Sequence, residues 1–153
     1  MKENILISAC LLGLHCRYDG GHQKHPELNE LAEEFTLIPV CPEQAGGLST
    51  PRIPCELQNK AYEILSGRGK VLNREGEDCT EAFIKGAREA LFLTEIFKIR
   101  KALLKDGSPS CGSSRIYDGT FSGKSIPDEG ITAQILRHNG IHVYNENQTD
   151  HLI

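Results

Sequence analysis

Three short apolar segments of this chain each lead to a cysteine, and this repeated arrangement constrains the fold more than any other feature. Ile5-Leu6-Ile7 leads through Ser8-Ala9 to Cys10, and Thr36-Leu37-Ile38-Pro39-Val40 leads directly to Cys41. Residues 99–104 lead through Lys105-Asp106-Gly107-Ser108-Pro109-Ser110 to Cys111. Nearly continuous apolar runs of this length are expected of strands buried on both faces, which belong to parallel sheets covered by helices. Pro39 counts against a central ladder position, so the second strand is expected to be short or near a sheet edge.

The intervening segments supply the helices. Pro26 opens one, with Leu28, Leu31, Ala32 and Phe35 on a single stripe. Asp78-x-x-Glu81 resembles a capping box and starts the strongest helix, whose stripe runs through Phe83, Ala87, Ala90, Thr94 and Phe97. Asp128 is expected to cap a last helix carrying Ile131, Ile135 and Leu136, stopped by Asn139-Gly140 before a final strand at 141–144. Two weaker β-like runs, 61–65 and 70–73, flank Ser66-Gly67-Arg68-Gly69 and predict a surface hairpin. Tyr117-Asp118-Gly119-Thr120 is a second hairpin-turn signal. The expected fold is α/β: a single domain over 1–153, with a small, mostly parallel sheet flanked by helices plus a β-hairpin excursion.

Composition narrows the function classes. Lys+Arg 17 against Asp+Glu 21 gives a formal charge of −4, whereas nucleic-acid grooves and anionic membranes reward clustered basic charge. A nucleic acid is therefore not the expected partner. No apolar run approaches the roughly 18 residues of a membrane span, and the first residues lack the apolar stretch of a secretion signal. A cytoplasmic protein is expected. The 6 cysteines stand out against this, because a reducing compartment does not favour a disulfide scaffold. They are to be read as a metal site, a redox centre or buried small hydrophobes.

In an open α/β sheet the C-terminal strand ends share one edge, where ligands bind. Cys10, Cys41 and Cys111 are each expected at or just beyond such an end, so three thiols meet on one rim without a local Cys-x-x-Cys motif. Three chemistries remain open. Zinc needs a fourth ligand, which Cys16, His15, His22 or His25 would supply. An iron–sulfur cluster with three cysteine ligands leaves one iron open to substrate. A bare thiol nucleophile or a Cys10–Cys16 redox pair is the third option.

A resemblance is carried by Ser8-Ala9-Cys10-Leu11-Leu12-Gly13, Cys16-Arg17-Tyr18-Asp19-Gly20, Cys41-Pro42-Glu43 and Gly46-Gly47-Leu48-Ser49-Thr50-Pro51-Arg52. It continues through Ser108-Pro109-Ser110-Cys111-Gly112 and Ile116-Tyr117-Asp118-Gly119-Thr120-Phe121. In this order and over nearly the whole chain, these segments resemble the bacterial thiouracil desulfurase (desulfidase) family, long catalogued as a domain of unknown function. The resemblance implies a 4Fe–4S cluster held by Cys10, Cys41 and Cys111. It also implies removal of sulfur from a small thiolated pyrimidine as sulfide, without net redox change. The open iron would take the thiocarbonyl sulfur while water attacks the adjacent carbon.

Glu43, two residues after Cys41, is then the candidate to accept a proton from that water, against the plainer alternative of pairing with Arg52 or Arg17. Ser108 matches the family's active-site serine and would orient substrate or water. Cys16 is open between a role in sulfur handling and packing, while Cys55 and Cys79 are read as small hydrophobes. His22 reads as a surface histidine, and Asp19 and Asp118 as turn residues. Arg17 and Arg52 would either neutralise an anionic cluster or form loop salt bridges. The competing function is a non-catalytic zinc- or cluster-binding protein, a metal or sulfur carrier. Zinc or an empty site is also the expected result of preparation in air, where exposed thiolates oxidise.

Overall fold

The computed structural model describes residues 1–152. Its elements in chain order are β1 (Glu3–Ser8), α1 (Leu28–Glu34), β2 (Phe35–Val40), α2 (Pro42–Ala45), β3 (Cys55–Leu57), α3 (Ala61–Leu65) and β4 (Val71–Asn73). They continue with α4 (Thr80–Ile96), β5 (Lys101–Leu104), β6 (Ile116–Tyr117), β7 (Ser125–Ile126), α5 (Ile131–His138) and β8 (His142–Asn145). Short 3-10 turns occupy Ala9–Leu12 and Thr149–His151.

The main sheet is wholly parallel, in the order β2-β1-β5-β8. Period-two alternation explains why β1 needs a continuous apolar run. Ile5 and Ile7 face a layer containing Leu31 of α1 and Leu103, while Leu6 faces the opposite layer with Ala90 of α4 and Leu136 of α5. Both layers exclude water from β1. Pro39 lies opposite Ile7 on β2, which pairs with β1 alone and forms a sheet edge, as proline requires.

Helix α4 buries Phe83, Ala87, Ala90 and Thr94 as its stripe predicts, together with Gly86. Phe97 departs from the stripe: it follows the last helical turn and stays 40% exposed. The capping-box expectation also shifts. Asp78 Oδ1 accepts hydrogen bonds from the Thr80 N–H at 2.9 Å and the Thr80 hydroxyl, with no reciprocal contact from Glu81.

Two further expectations are corrected. Residues 61–65 form α3 and not a strand, with Ala61 and Ile64 buried at helical spacing. β4 pairs antiparallel with β3, so the hairpin partner is Cys55–Leu57, upstream of the expected run at 61–65. Asp128 does not cap α5, which begins at Ile131 after Gly130. The free N–H groups of its first turn donate instead to the loop that carries Cys111. Ile131 bonds Pro109 O at 3.1 Å, and Thr132 bonds Ser110 O at 2.8 Å. A side chain at position 130 would collide with that loop, which is why glycine stands there.

The Tyr117 turn signal does mark an antiparallel pair, β6 with β7, but its connection spans 118–124 and not two residues. Among the described residues no helix is long and apolar enough to cross a membrane.

Candidate active site

The chain leaves β1 towards β2 on one side and reaches β5 on the other. The sheet therefore has its topological switch point between β1 and β5, where open α/β sheets bind ligands. A cavity of about 380 Å³ opens there, within the size range of small-molecule sites. Cys10, Cys41 and Cys111 all line it, and so do Glu43 and Ser108. The three thiols expected at strand ends and the two residues implied by the resemblance thus line one cavity.

Local structure fixes each thiol differently. Cys10 lies in the 3-10 turn after β1, closed by Gly13, whose φ of 95° is open to glycine at little cost. Cys41 immediately precedes Pro42 at the start of α2. Cys111 is held by the α5 N-terminus and by Ser108, whose Oγ accepts the N–H of Ser110 at 3.1 Å and of Cys111 at 3.0 Å.

Cys16 joins them. It is buried, lines the cavity and lies within hydrogen-bonding reach of both Cys10 and Cys41. The Cys41 thiol also donates to Cys16 O at 3.6 Å. Hydrogen bonding to Cys10 is the main cause that pushes the Cys16 thiol up to about 11, partly opposed by Cys41 and reinforced by burial. Burial, then the nearby Glu43 charge, pushes Cys111 up to about 12. The bond to Cys16 and burial likewise raise Cys41. Activated nucleophiles need the opposite shift, which counts against Cys16, Cys41 or Cys111 as a bare thiol nucleophile. A metal binding here displaces protons.

The donor set is sulfur, which suits zinc or iron–sulfur chemistry. None of His15, His22 or His25 lines the cavity. His15 Nδ1 lies 3.1 Å from Gly20 O, and His22 Nδ1 accepts the Lys24 N–H at 3.1 Å. His25 is buried with both ring nitrogens engaged: Nε2 donates to Glu146 O at 2.8 Å and Nδ1 accepts from the Glu27 N–H at 3.0 Å. Among the described residues no three His, Cys, Asp or Glu side chains converge closely enough for a single metal ion. Sulfur donors gathered on one rim suit a cluster that takes one thiolate per iron.

Glu43 pairs with Arg52, at 2.8 Å between Oε2 and Nη2, with their side chains 15% and 8% exposed. The alternative weighed for Glu43 is therefore realised with Arg52, and it leaves Oε1 without a hydrogen bond from the described residues. The same Arg52 nitrogen donates to Cys16 O at 3.0 Å, tying the Glu43 carboxylate to the thiol loop. Arg17 lies 3.8 Å from Asp19 and over the Tyr18 ring. Asp19 and Asp118 are turn residues as expected, accepting the N–H groups of Gly21 and Thr120. Cys55 and Cys79 pack against the same core layer, but Cys55 also lines the cavity.

Two buried carboxylates escaped the sequence reading. Asp106 Oδ1 accepts the N–H groups of Ser113 and Ser114 at 3.1 Å and of Arg115 at 3.2 Å, while Oδ2 takes the Ser114 hydroxyl. Glu56, on β3, accepts the N–H groups of Gly119 and Phe121. Both line the cavity and shape its walls. Nothing in a local pattern marks them, because all their partners except those of Asp106 at 113–115 lie far along the chain.

Comparison with known proteins follows the same lines as this geometry. Residues 5–148 match the sequence model of the 2-thiouracil desulfurase family. The chain is similar to an uncharacterised protein of Bacillus subtilis (strain 168), YbbK, with 41% identity over 150 residues, covering 97% of this chain and 99% of the relative. It is also similar to the solved structure of TudS, described as a 4Fe–4S-dependent thiouracil desulfidase. That match has a TM-score of 0.89 and 46% identity, covering 99% of this chain and 95% of that one. The chain belongs to the 2-thiouracil desulfurase family.

Proposed function

We propose that this chain, acting as one domain over 1–153, is a 4Fe–4S-dependent, non-redox desulfidase. It converts the C=S of a small thiolated uracil to C=O with water and releases sulfide. The observation that carries this reading is the meeting of Cys10, Cys41 and Cys111 with Glu43 and Ser108 on one switch-point cavity. Cys10, Cys41 and Cys111 would hold the cluster, and their soft sulfur donors fit it. When bound, the cluster supplies an iron without a protein ligand, a Lewis acid for the thiocarbonyl sulfur.

The chain's own residues do the rest. Arg52 holds one oxygen of Glu43, so Oε1 is presented to accept a proton from the attacking water. The Ser108 oxygen already accepts two backbone N–H groups, which leaves its proton for an oxygen of water or substrate in the cavity. The cavity's size suits a single pyrimidine, and the net charge of −4 favours a free small molecule over a polynucleotide. Free thiols in this number suit the cytoplasm.

Anaerobic reconstitution, followed by iron analysis and sulfide assays with 2-thiouracil and 4-thiouracil, tests the proposal. The expected protein carries about four iron atoms per chain and releases sulfide. Cys10→Ser, Cys41→Ser and Cys111→Ser each lose the iron, while Cys55→Ser keeps it. A cluster-bearing protein that releases no sulfide from either compound is instead a non-catalytic carrier.

A further inference from the structure

Phe121 is out of place by the usual rules for an aromatic residue. It belongs to none of the three core layers, yet it is half-buried and lines the cavity. Its φ is 57°, in the left-handed region that L residues avoid. The other non-glycine residue there, Lys98 (φ 53°), closes the end of α4, a common site for that conformation. No helix end explains Phe121.

What holds Phe121 is Glu56. A single oxygen of this carboxylate, 8% exposed as a residue, accepts the Gly119 N–H at 2.8 Å and the Phe121 N–H at 3.1 Å. Gln58 adds a hydrogen bond from Nε2 to Gly119 O at 3.1 Å. Gly119 itself has φ 92° and leaves no room for a side chain against Leu57 O. Backbone strain that the surroundings maintain is concentrated at ligand sites. Here its effect is to hold an aromatic residue in the lining of the cavity that also carries the strand-end thiols.

Resting on the desulfidase reading, we propose that Phe121 is the surface against which the pyrimidine ring of the substrate packs, with Glu56 as its positioning residue. An aromatic face is sequence-neutral towards planar rings and strengthens binding by about 10- to 100-fold. The contact is made in the ground state as well as at the transition state, so its loss raises KM more than it lowers kcat.

The test uses the reconstituted holoenzyme and 2-thiouracil, following sulfide release, iron content and thermal midpoint. Phe121→Gly removes the ring and relieves the backbone strain together. It is expected to keep its iron and hold or raise its midpoint. Its KM should rise about 10- to 100-fold, with kcat changed by less than about threefold. Phe121→Tyr keeps an aromatic face and is expected within about threefold of wild type in KM. Glu56→Ala raises KM in the same way, and Glu56→Gln restores it, because a carbonyl oxygen accepts the same two N–H groups. An unchanged KM in Phe121→Gly overturns the assignment of Phe121. Equal KM values in Glu56→Ala and wild type overturn the positioning role. A wild-type holoenzyme that releases no sulfide overturns the desulfidase reading itself, and this inference with it.

Discussion

The part of the cavity lining that carries Cys10, Cys41 and Cys111 follows the ends of a parallel sheet, whereas a second part comes from hairpin fragments of two or three residues per strand. In the first part the positions of Cys10 and Cys111 follow from burial of the strands behind them, and Cys41 from the edge strand β2 paired to β1. Ile5, Leu6, Ile7, Leu103 and Leu104 are fully enclosed, and each such side chain contributes about 1.5–3 kcal/mol. In the second part, strands as short as β6 and β7 have little stability of their own. Their geometry depends on the buried carboxylates Glu56 and Asp106, which gather N–H groups from the loops. One part is set by hydrophobic layering and the other by a few charge-assisted hydrogen bonds. The first should tolerate polar changes in its fold while losing chemistry, and the second should lose shape.

Four substitutions sharpen that contrast. The largest expected effect is on chemistry alone. Glu43→Gln, in the sheet-edge part, should lower kcat by about 10²- to 10⁴-fold with the iron content unchanged. Single-turnover sulfide release beside iron analysis measures both, and a matching loss of iron would show Glu43 to be structural.

Next is Asp106→Ala, in the lining loop between β5 and β6. It removes the acceptor of several backbone N–H groups and should cost roughly 3 kcal/mol, or about 6–12 °C in thermal midpoint for a chain of this size. Burial alone would raise the Asp106 pKa, but the Ser114 hydroxyl and the N–H groups of Ser114, Arg115 and Gly107 outweigh it and hold the carboxyl below its ordinary value. This stabilisation is present above the unfolded value near pH 4 and lost as pH falls through the lower folded value. The gap between wild type and variant should therefore close below about pH 4. Denaturant titrations across that range decide it, and a gap independent of pH would show that the charge is not what matters.

Gly86→Ala is a smaller perturbation, reaching the site through packing. A Cβ at position 86 would lie 1.8 Å from Pro42 O, so α2 must move away from α4 and carry Glu43 with it. A stability loss of about 1–3 kcal/mol together with roughly tenfold slower turnover is expected. Normal turnover in the variant would uncouple Glu43 placement from this helix contact.

The smallest effect is expected for Cys79→Val. Cys79 packs with Phe83 and Ile64 and does not line the cavity. Stability should change by less than about 1.5 kcal/mol, with activity unaltered. Lost activity would give this thiol a function that its position does not suggest.

The legibility of the molecule divides along the same line. The parallel sheet could be read from residues 5–7 and 99–104 because burial leaves a continuous apolar run, and from 36–40 as an edge strand whose Thr36 and Pro39 stay exposed. The thiol rim followed because chain direction decides which strand ends share an edge. The hairpin could not: 61–65 and 55–57 are equally plausible short segments, and only packing of Ala61 and Ile64 against Phe83 makes the first helical. Asp128 carries a better capping side chain than Gly130, yet α5 starts after the glycine because Pro109 and Ser110 supply the carbonyl partners from a distant loop. His25 resembles a metal ligand by type and position, and its ring is used instead to join the Glu27 and Glu146 backbones. Periodicity and chain direction are local properties, sufficient for the sheet and for the edge where Cys10, Cys41 and Cys111 emerge. The partners of Glu56 and of the first turn of α5 are hydrogen bonds across long chain separations, and they exist only once the layers have packed.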